Sequence, residues 1–246
     1  MTRDFPAGNY RFIPAVFQYS SGAAADSGFE VERVRFDGLL PLAEGFAQAA
    51  KYIKAAGRPL TSFCACELRS PGAFTEDGFR KFNEHYVKTL AEWGIFDGTN
   101  PVARSNVCPE IDPPAEPSFY AFSFTRPGTG TMPSFVIAGS AELRGGSGSY
   151  PERIVRYKDL SPDALKEKVR FTVASMEERL GEFGFSWKHA TAVQAYTLHD
   201  FHPVVVDELV RRGAMRSGLT WHFARPPVVD LEFEMDCRRV ARETVI

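Results

Sequence analysis

One arginine and a run of acids have the types and surroundings to do chemistry. Arg104 lies in Pro101-Val-Ala-Arg-Ser-Asn-Val107, directly after the turn-rich break Asp97-Gly-Thr-Asn-Pro101, so a cation sits where a loop enters an apolar, alternating segment. A guanidinium placed there can hold a carboxylate through two hydrogen bonds, and it stays charged at any working pH. Taken alone, an arginine at a strand end is more often simply solvated. Further on, Glu232-Phe-Glu-Met-Asp236 puts three acids on one face of an alternating segment whose Leu231, Phe233 and Met235 face the other way. Three carboxylates so close repel one another unless they meet cations or water. A partly buried Glu232, its pKa raised by desolvation, could aim a water and move protons as a general acid and base. As an outward residue of a half-buried strand it would instead be solvated.

Other chemistry-bearing residues fit ordinary roles better. His199-Asp-Phe-His202 has a spacing that could bind metal on a helix, but Pro203 places it in a turn, which favours ordinary polar histidines. Cys64-Ala-Cys66 lacks the two-residue spacing of a zinc or redox motif, and with Cys108 and Cys237 these thiols read as small buried hydrophobes. Gly145-Gly-Ser-Gly148 opens no helix at once, which argues against a phosphate cradle. Neither a metal nor a cofactor is expected.

The elements that must position Arg104 and Glu232 come from periodicity. Tyr10 to Tyr19 and Phe29 to Phe36 alternate around a small-residue loop and predict a hairpin. Helices are predicted from Pro41 to Gly57 and from Glu76 to Gly94, the second with Phe79, Phe82, Tyr86, Leu90 and Trp93 on one face. Strands are predicted for 60–68 and for two segments within 102–124, divided at Pro113-Pro114. After 127–133, which has linker composition, the order begins again. A hairpin joins 134–143 to 153–157, a long helix starts at Ser161-Pro162, a strand covers 190–198, and a second helix runs from Pro203 to Arg212. Strands at 218–223 and 228–240 complete the unit. Arg104-Ser105 followed by Pro113-Pro114 answers to Arg216-Ser217 followed by Pro226-Pro227, so the expected division is 1–126, a linker at 127–133, and 134–246.

Bulk properties exclude several classes. A net charge of −2 and the lack of any long Lys/Arg run give no footprint for nucleic acid. No apolar stretch reaches 18 residues, and Met1-Thr-Arg-Asp-Phe-Pro6 lacks the apolar region of a secretion signal, so a cytoplasmic protein without membrane contact is expected.

The order of Gly57, the strand from Phe63 to Leu68, Phe82-Asn83-Glu-His-Tyr86 and Ala103-Arg104-Ser105-Asn-Val107 resembles the Rid family of imine and enamine deaminases, clearly over 40–124 and more faintly over 160–240. The resemblance implies an α+β fold of two tandem chorismate-mutase-like (Rid-like) units, each a mixed sheet with two helices packed on one face. It implies clefts between units and a homo-oligomer of trimer-like assembly. By the same resemblance Arg104 and Arg216 would hold the substrate carboxylate with Asn83 and Ser105 beside them, and Glu232 would position or activate water. The chain departs from the pattern at Phe119, where the first copy has no glutamate; at Asn106, where the family often has cysteine; and in the second copy, which lacks the asparagine motif. The expected activity is hydrolytic deamination of a small carboxylated, aminomuconate-like imine or enamine, without cofactor. Tandem Rid-like chains also include chorismatases, so a chorismatase-like hydrolase is the second reading, and a non-catalytic ligand-binding protein the third.

Overall fold

The computed structural model describes residues 1–246. In chain order the strands and helices are β1 (Arg3–Phe5), β2 (Tyr10–Ile13), β3 (Gly22–Ala25), β4 (Phe29–Pro41), α1 (Leu42–Ala55), β5 (Phe63–Arg69), α2 (Glu76–Glu92), β6 (Ala103–Pro109) and β7 (Ser118–Pro127). There follow β8 (Phe135–Ala141), α3 (Tyr150–Arg153), α4 (Pro162–Glu182), β9 (Ala192–Tyr196), α5 (His202–Val205) with a π-turn at Val206–Val210, β10 (Thr220–His222), β11 (Ala224–Arg225), β12 (Glu234–Arg239) and β13 (Arg242–Val245). The protein is mixed α+β with two sheets, ordered β1-β2-β3-β8-β12-β9-β10 and β11-β6-β5-β7-β4-β13. No helix is long and apolar enough to cross a membrane.

Each sheet buries one face under helices. Phe46, Ala49 and Ile53 of α1 and Tyr86, Val87 and Leu90 of α2 pack on Phe63, Leu68, Phe119, Phe122 and Phe124. Val169, Val173, Met176 and Leu180 of α4 pack on Phe135, Val193, Met235 and Cys237. The opposite faces meet each other through a smaller cluster that includes Ala23, Cys64, Ala103, Val136 and Ala138. All four cysteines are buried and unpaired.

Strands cross the expected division in both directions. The amino-terminal β1, β2 and β3 belong to the sheet of β8, while the carboxy-terminal β13 runs parallel to β4, Arg242 opposite Glu32. The hairpin expected between 10–19 and 29–36 does not form. Instead β2 pairs with β3 and β4 with β7, in different sheets. Alternation identifies a strand but is silent about its partner. The second expected hairpin is reduced to one bridge between Leu143 and Ile154. Ser149 turns that segment into α3: Glu152 Oε2 accepts from the Ser149 amide (2.8 Å) and pairs with its hydroxyl (3.0 Å), and Pro151 favours a first helical turn.

A third correction bears on the site. The strand expected from Val228 begins only at Glu234. Asp230 has φ of 70°, which breaks the extended run, and the next two amides donate to the Glu142 carboxylate rather than to a neighbouring strand: Glu232 N to Oε1 (2.7 Å) and Phe233 N to Oε2 (3.1 Å).

Candidate active site between the two sheets

Arg104 is delivered by the start of β6. Asn100 pins that start, donating to the Gln18 carbonyl (2.9 Å) and accepting from the Val102 amide (3.0 Å), while the Ser20 hydroxyl donates to the Pro101 carbonyl (3.0 Å). The guanidinium then lies among four rings, its carbon 4.7 Å from the Tyr86 centroid, 5.1 Å from Tyr19, 5.6 Å from Phe82 and 5.7 Å from Phe79. These rings take up its flat faces and leave its edge for in-plane hydrogen bonds. Arg104 is only 3% exposed, yet neither Nη1 nor Nη2 has a hydrogen-bond partner. A buried cation with an open edge is costly on its own, and a bound carboxylate is the group whose geometry and charge answer it.

Glu234 enters the same cleft from the other half of the chain, at the first residue of β12. Its carboxyl makes no hydrogen bond within the protein, and burial, then repulsion from Asp236, push it well above the ordinary carboxylate range against the pull of Arg179 and Arg69. Gly139 of β8 makes room for it: a Cβ there would collide with Glu234 Oε1 and stand 3.3 Å from the Ser105 Cα. Arg179 of α4 is anchored through Nη1 to the carbonyls of Ala138 (2.9 Å) and Gly139 (3.2 Å), which holds a positive charge on this wall. Asn106 adds a buried Nδ2 without a partner, its Oδ1 accepting from the Ser70 hydroxyl at 3.0 Å.

The cleft encloses about 230 Å³ and has an apolar floor of Phe79, Val228 and Leu231, again drawn from both halves. That is room for a small acid, below the roughly 300–1,000 Å³ of pockets for drug-sized ligands.

Of the candidate site residues Arg104, Arg216, Asn83, Ser105 and Glu232, Arg104 alone lines this cleft. Glu232 does not: it precedes β12, and its Oε2 pairs with His199 Nε2 at 2.7 Å. Arg216 sits in the turn between the π-turn and β10, exposed and outside the cleft. Ser105 points away from Arg104, as neighbours on a strand must, and donates to Asp236 Oδ2 at 2.7 Å. Asn83 is buried in α2, its Nδ2 bonded to the Phe79 carbonyl at 2.7 Å. The acid that does face Arg104's cleft, Glu234, stands two residues past Glu232 on the same predicted face. The break at Asp230 and the capture of the Glu232 and Phe233 amides by Glu142 keep Glu232 out of β12, and periodicity carries no signal for either. Arg179 looks like any helix-surface cation, so nothing in the sequence distinguishes it.

The two sheets and the cleft between them thus define an α+β protein with a cleft, lined by both its halves, that holds a buried and unpartnered guanidinium. Residues 2–244 match the family described as 2-aminomuconate deaminase CnbZ. The chain is 52% identical, over 245 residues and 98% of both sequences, to a 2-amino-5-chloromuconate deaminase from Comamonas testosteroni. It belongs to this family of deaminases, enzymes that act on C–N bonds. Among solved structures, a chorismatase crystal structure superposes with a TM-score of 0.51 at 14% identity, covering 90% of this chain and 77% of that one, which shows a shared fold.

Proposed function

We propose that the protein hydrolyses the C–N bond of a 2-aminomuconate-type enamine, releasing ammonia, in the cleft between the sheets. The observation that carries this reading is the pair of unpartnered Arg104 terminal nitrogens sharing a cleft with the unbonded, protonation-prone carboxyl of Glu234. Arg104 holds the carboxylate beside the amino-bearing carbon. Glu234, protonated at rest, gives its proton to a carbon of the conjugated chain and converts the enamine to an iminium. As a carboxylate it then takes a proton from water as the oxygen bonds to the iminium carbon. It passes that proton to nitrogen, ammonia leaves, and the hydroxyl proton returns to Glu234 as the carbonyl forms. Enamine and water become carbonyl compound and ammonia, with no other reactant. Arg179 stabilises the transient Glu234 carboxylate. In this assignment Glu234 takes the role that family resemblance gave to Glu232, and Asn106 replaces Ser105 as the polar neighbour of Arg104.

The test is ammonia release from enzymatically generated 2-aminomuconate and 2-iminopropionate, with pyruvate release from chorismate as the control for the alternative hydrolase. Acceleration with 2-aminomuconate is expected; turnover of chorismate alone would overturn the reading.

The finer architecture belongs to the same reading. The chain consists of two Rid-like units, 1–126 and 134–246, that have exchanged terminal strands, and it self-associates in the cytoplasm, as the resemblance implies. Light scattering at micromolar protein is expected to give a multiple of 27.4 kDa, and a clean monomer would remove the self-association.

A further inference from the structure

A third cation lines the cleft beside Arg104 and Arg179. Arg153, the last residue of α3, lines it from the rim and is half-buried. Its Nε is committed to the Arg144 carbonyl (2.8 Å), and its guanidinium carbon lies 5.7 Å from the Tyr150 ring centroid. Those contacts fix the direction of the group while leaving its terminal nitrogens unbonded within the protein. The segment that carries it is itself pinned, at one end by the Ser149–Glu152 bonds and at the other by the Ile154 amide on the Tyr150 carbonyl (2.8 Å). The cleft therefore holds two guanidiniums with open terminal nitrogens, a deeply buried one at Arg104 and a half-buried one at Arg153, beside an apolar floor.

We infer that Arg153 is the clamp for a second, distal carboxylate, so that the site selects extended dicarboxylates over monocarboxylates of the same length. This rests on the reading of the cleft as the substrate site, with Arg104 taking the carboxylate next to the reacting carbon. Two open guanidiniums lining one apolar cleft discriminate by length as well as charge, because a chain too short leaves one of them unanswered. The apolar floor of Val228 and Leu231 suits the unsaturated carbon chain between the two ends and tolerates a small apolar substituent on it.

Binding of unreactive probes tests this apart from turnover. cis,cis-Muconate, a six-carbon diene with two carboxylates, and sorbate, its analogue with one, are titrated calorimetrically into the wild-type protein, Arg153→Gln and Arg153→Lys. Wild type is expected to bind muconate roughly 10- to 100-fold more tightly than sorbate, the scale of one added charge-assisted contact. Arg153→Gln should bring muconate down to the level of sorbate without moving sorbate, and Arg153→Lys should restore part of the difference. Equal affinities in wild type, an unchanged preference in Arg153→Gln, or an equal loss for both probes would each overturn the assignment. Failure of ammonia release with intact muconate selectivity would sink the proposed reaction and leave the clamp standing.

Discussion

The interior holds two kinds of buried charge. Beside the cleft, on the inner faces of the sheets, charges are answered within the protein: Arg33 meets Glu67 in a fork, Nε to Oε1 at 2.6 Å and Nη2 to Oε2 at 2.8 Å. Asp236 Oδ2 accepts from Ser105 (2.7 Å) and Tyr196 (2.8 Å), and Arg238 donates to Gln194 (2.7 Å) and Glu243 (3.0 Å). Beneath the second sheet Lys168 meets Glu142 at 3.3 Å, both fully buried. In the cleft, Arg104 has open Nη groups and Glu234 has no hydrogen bond, although both are as buried as Arg33 and Glu67. Burial and residue type are the same in the two places, and partners are what differ. Closed clusters position the sheets, whereas the open pair keeps binding capacity for something that is not part of the chain.

Glu234→Gln strikes the open pair most directly. The amide keeps shape and neutrality but cannot cycle a proton, so kcat should fall by about 100- to 10,000-fold with KM little changed, as measured by ammonia release. A variant retaining a tenth of wild-type turnover would remove Glu234 from the chemistry and return the question to Glu232.

The comparison itself can be broken with a matched pair of substitutions. Arg33→Met strands the Glu67 carboxylate in the interior and should cost about 3–5 kcal/mol of stability, leaving whatever folded protein remains active. Arg104→Met removes two unanswered donors and should raise stability by about 1–3 kcal/mol while abolishing substrate binding. Denaturant titration of both, alongside KM, decides the matter. A loss of stability in Arg104→Met comparable to that in Arg33→Met would mean that Arg104 is structural and its open edge incidental.

Of the cleft, the sequence makes legible Arg104 and the rings around it. The Asp97–Pro101 break and the alternating run after it place Arg104 at a strand entry, and the spacing of Phe79, Phe82 and Tyr86 puts on one helix face three of the rings that enclose it. Helices α1, α2 and α4 follow from 3.6-residue periodicity and their caps. What stayed hidden depends on long-range pairing. Which strand lies beside which is decided by contacts between distant segments, so β13 joining β4 and β3 joining β8 leave no local mark. Which acid lines the cleft turned on Glu142, 90 residues before Glu232, capturing two amides and delaying β12 until Glu234. Arg216, matched to Arg104 by sequence, lies on an exposed turn because the helix before it ends in a π-turn and Gly213, with φ of 85°, turns the chain outward before β10.

The smallest expected effect is also the one that separates the two kinds of charge by sign. Although burial alone would raise Glu67, Arg33 holds its carboxyl below the ordinary carboxylate range. Its unfolded form therefore binds more protons in acid, and the stability it contributes is lost as pH falls from the ordinary carboxylate value toward its depressed one. Glu234 runs the other way. Burial, then Asp236, raise it well above the ordinary value. Between that value and its raised pKa the folded state binds the extra proton, so its contribution to stability declines as pH rises through the window. Unfolding free energies of the wild type, Glu67→Gln and Glu234→Gln from about pH 2 to about pH 8 read this out. Relative to wild type, Glu234→Gln should gain stability steadily as pH rises, whereas the deficit of Glu67→Gln should shrink toward the acid end. Catalysis follows the Glu234 limb, since the resting enzyme needs its proton, and kcat should fall at high pH. A Glu234→Gln variant whose stability parallels wild type at every pH would show that the carboxyl titrates as an ordinary exposed acid, and with it the contrast between an open and a closed cluster would lose its electrostatic basis.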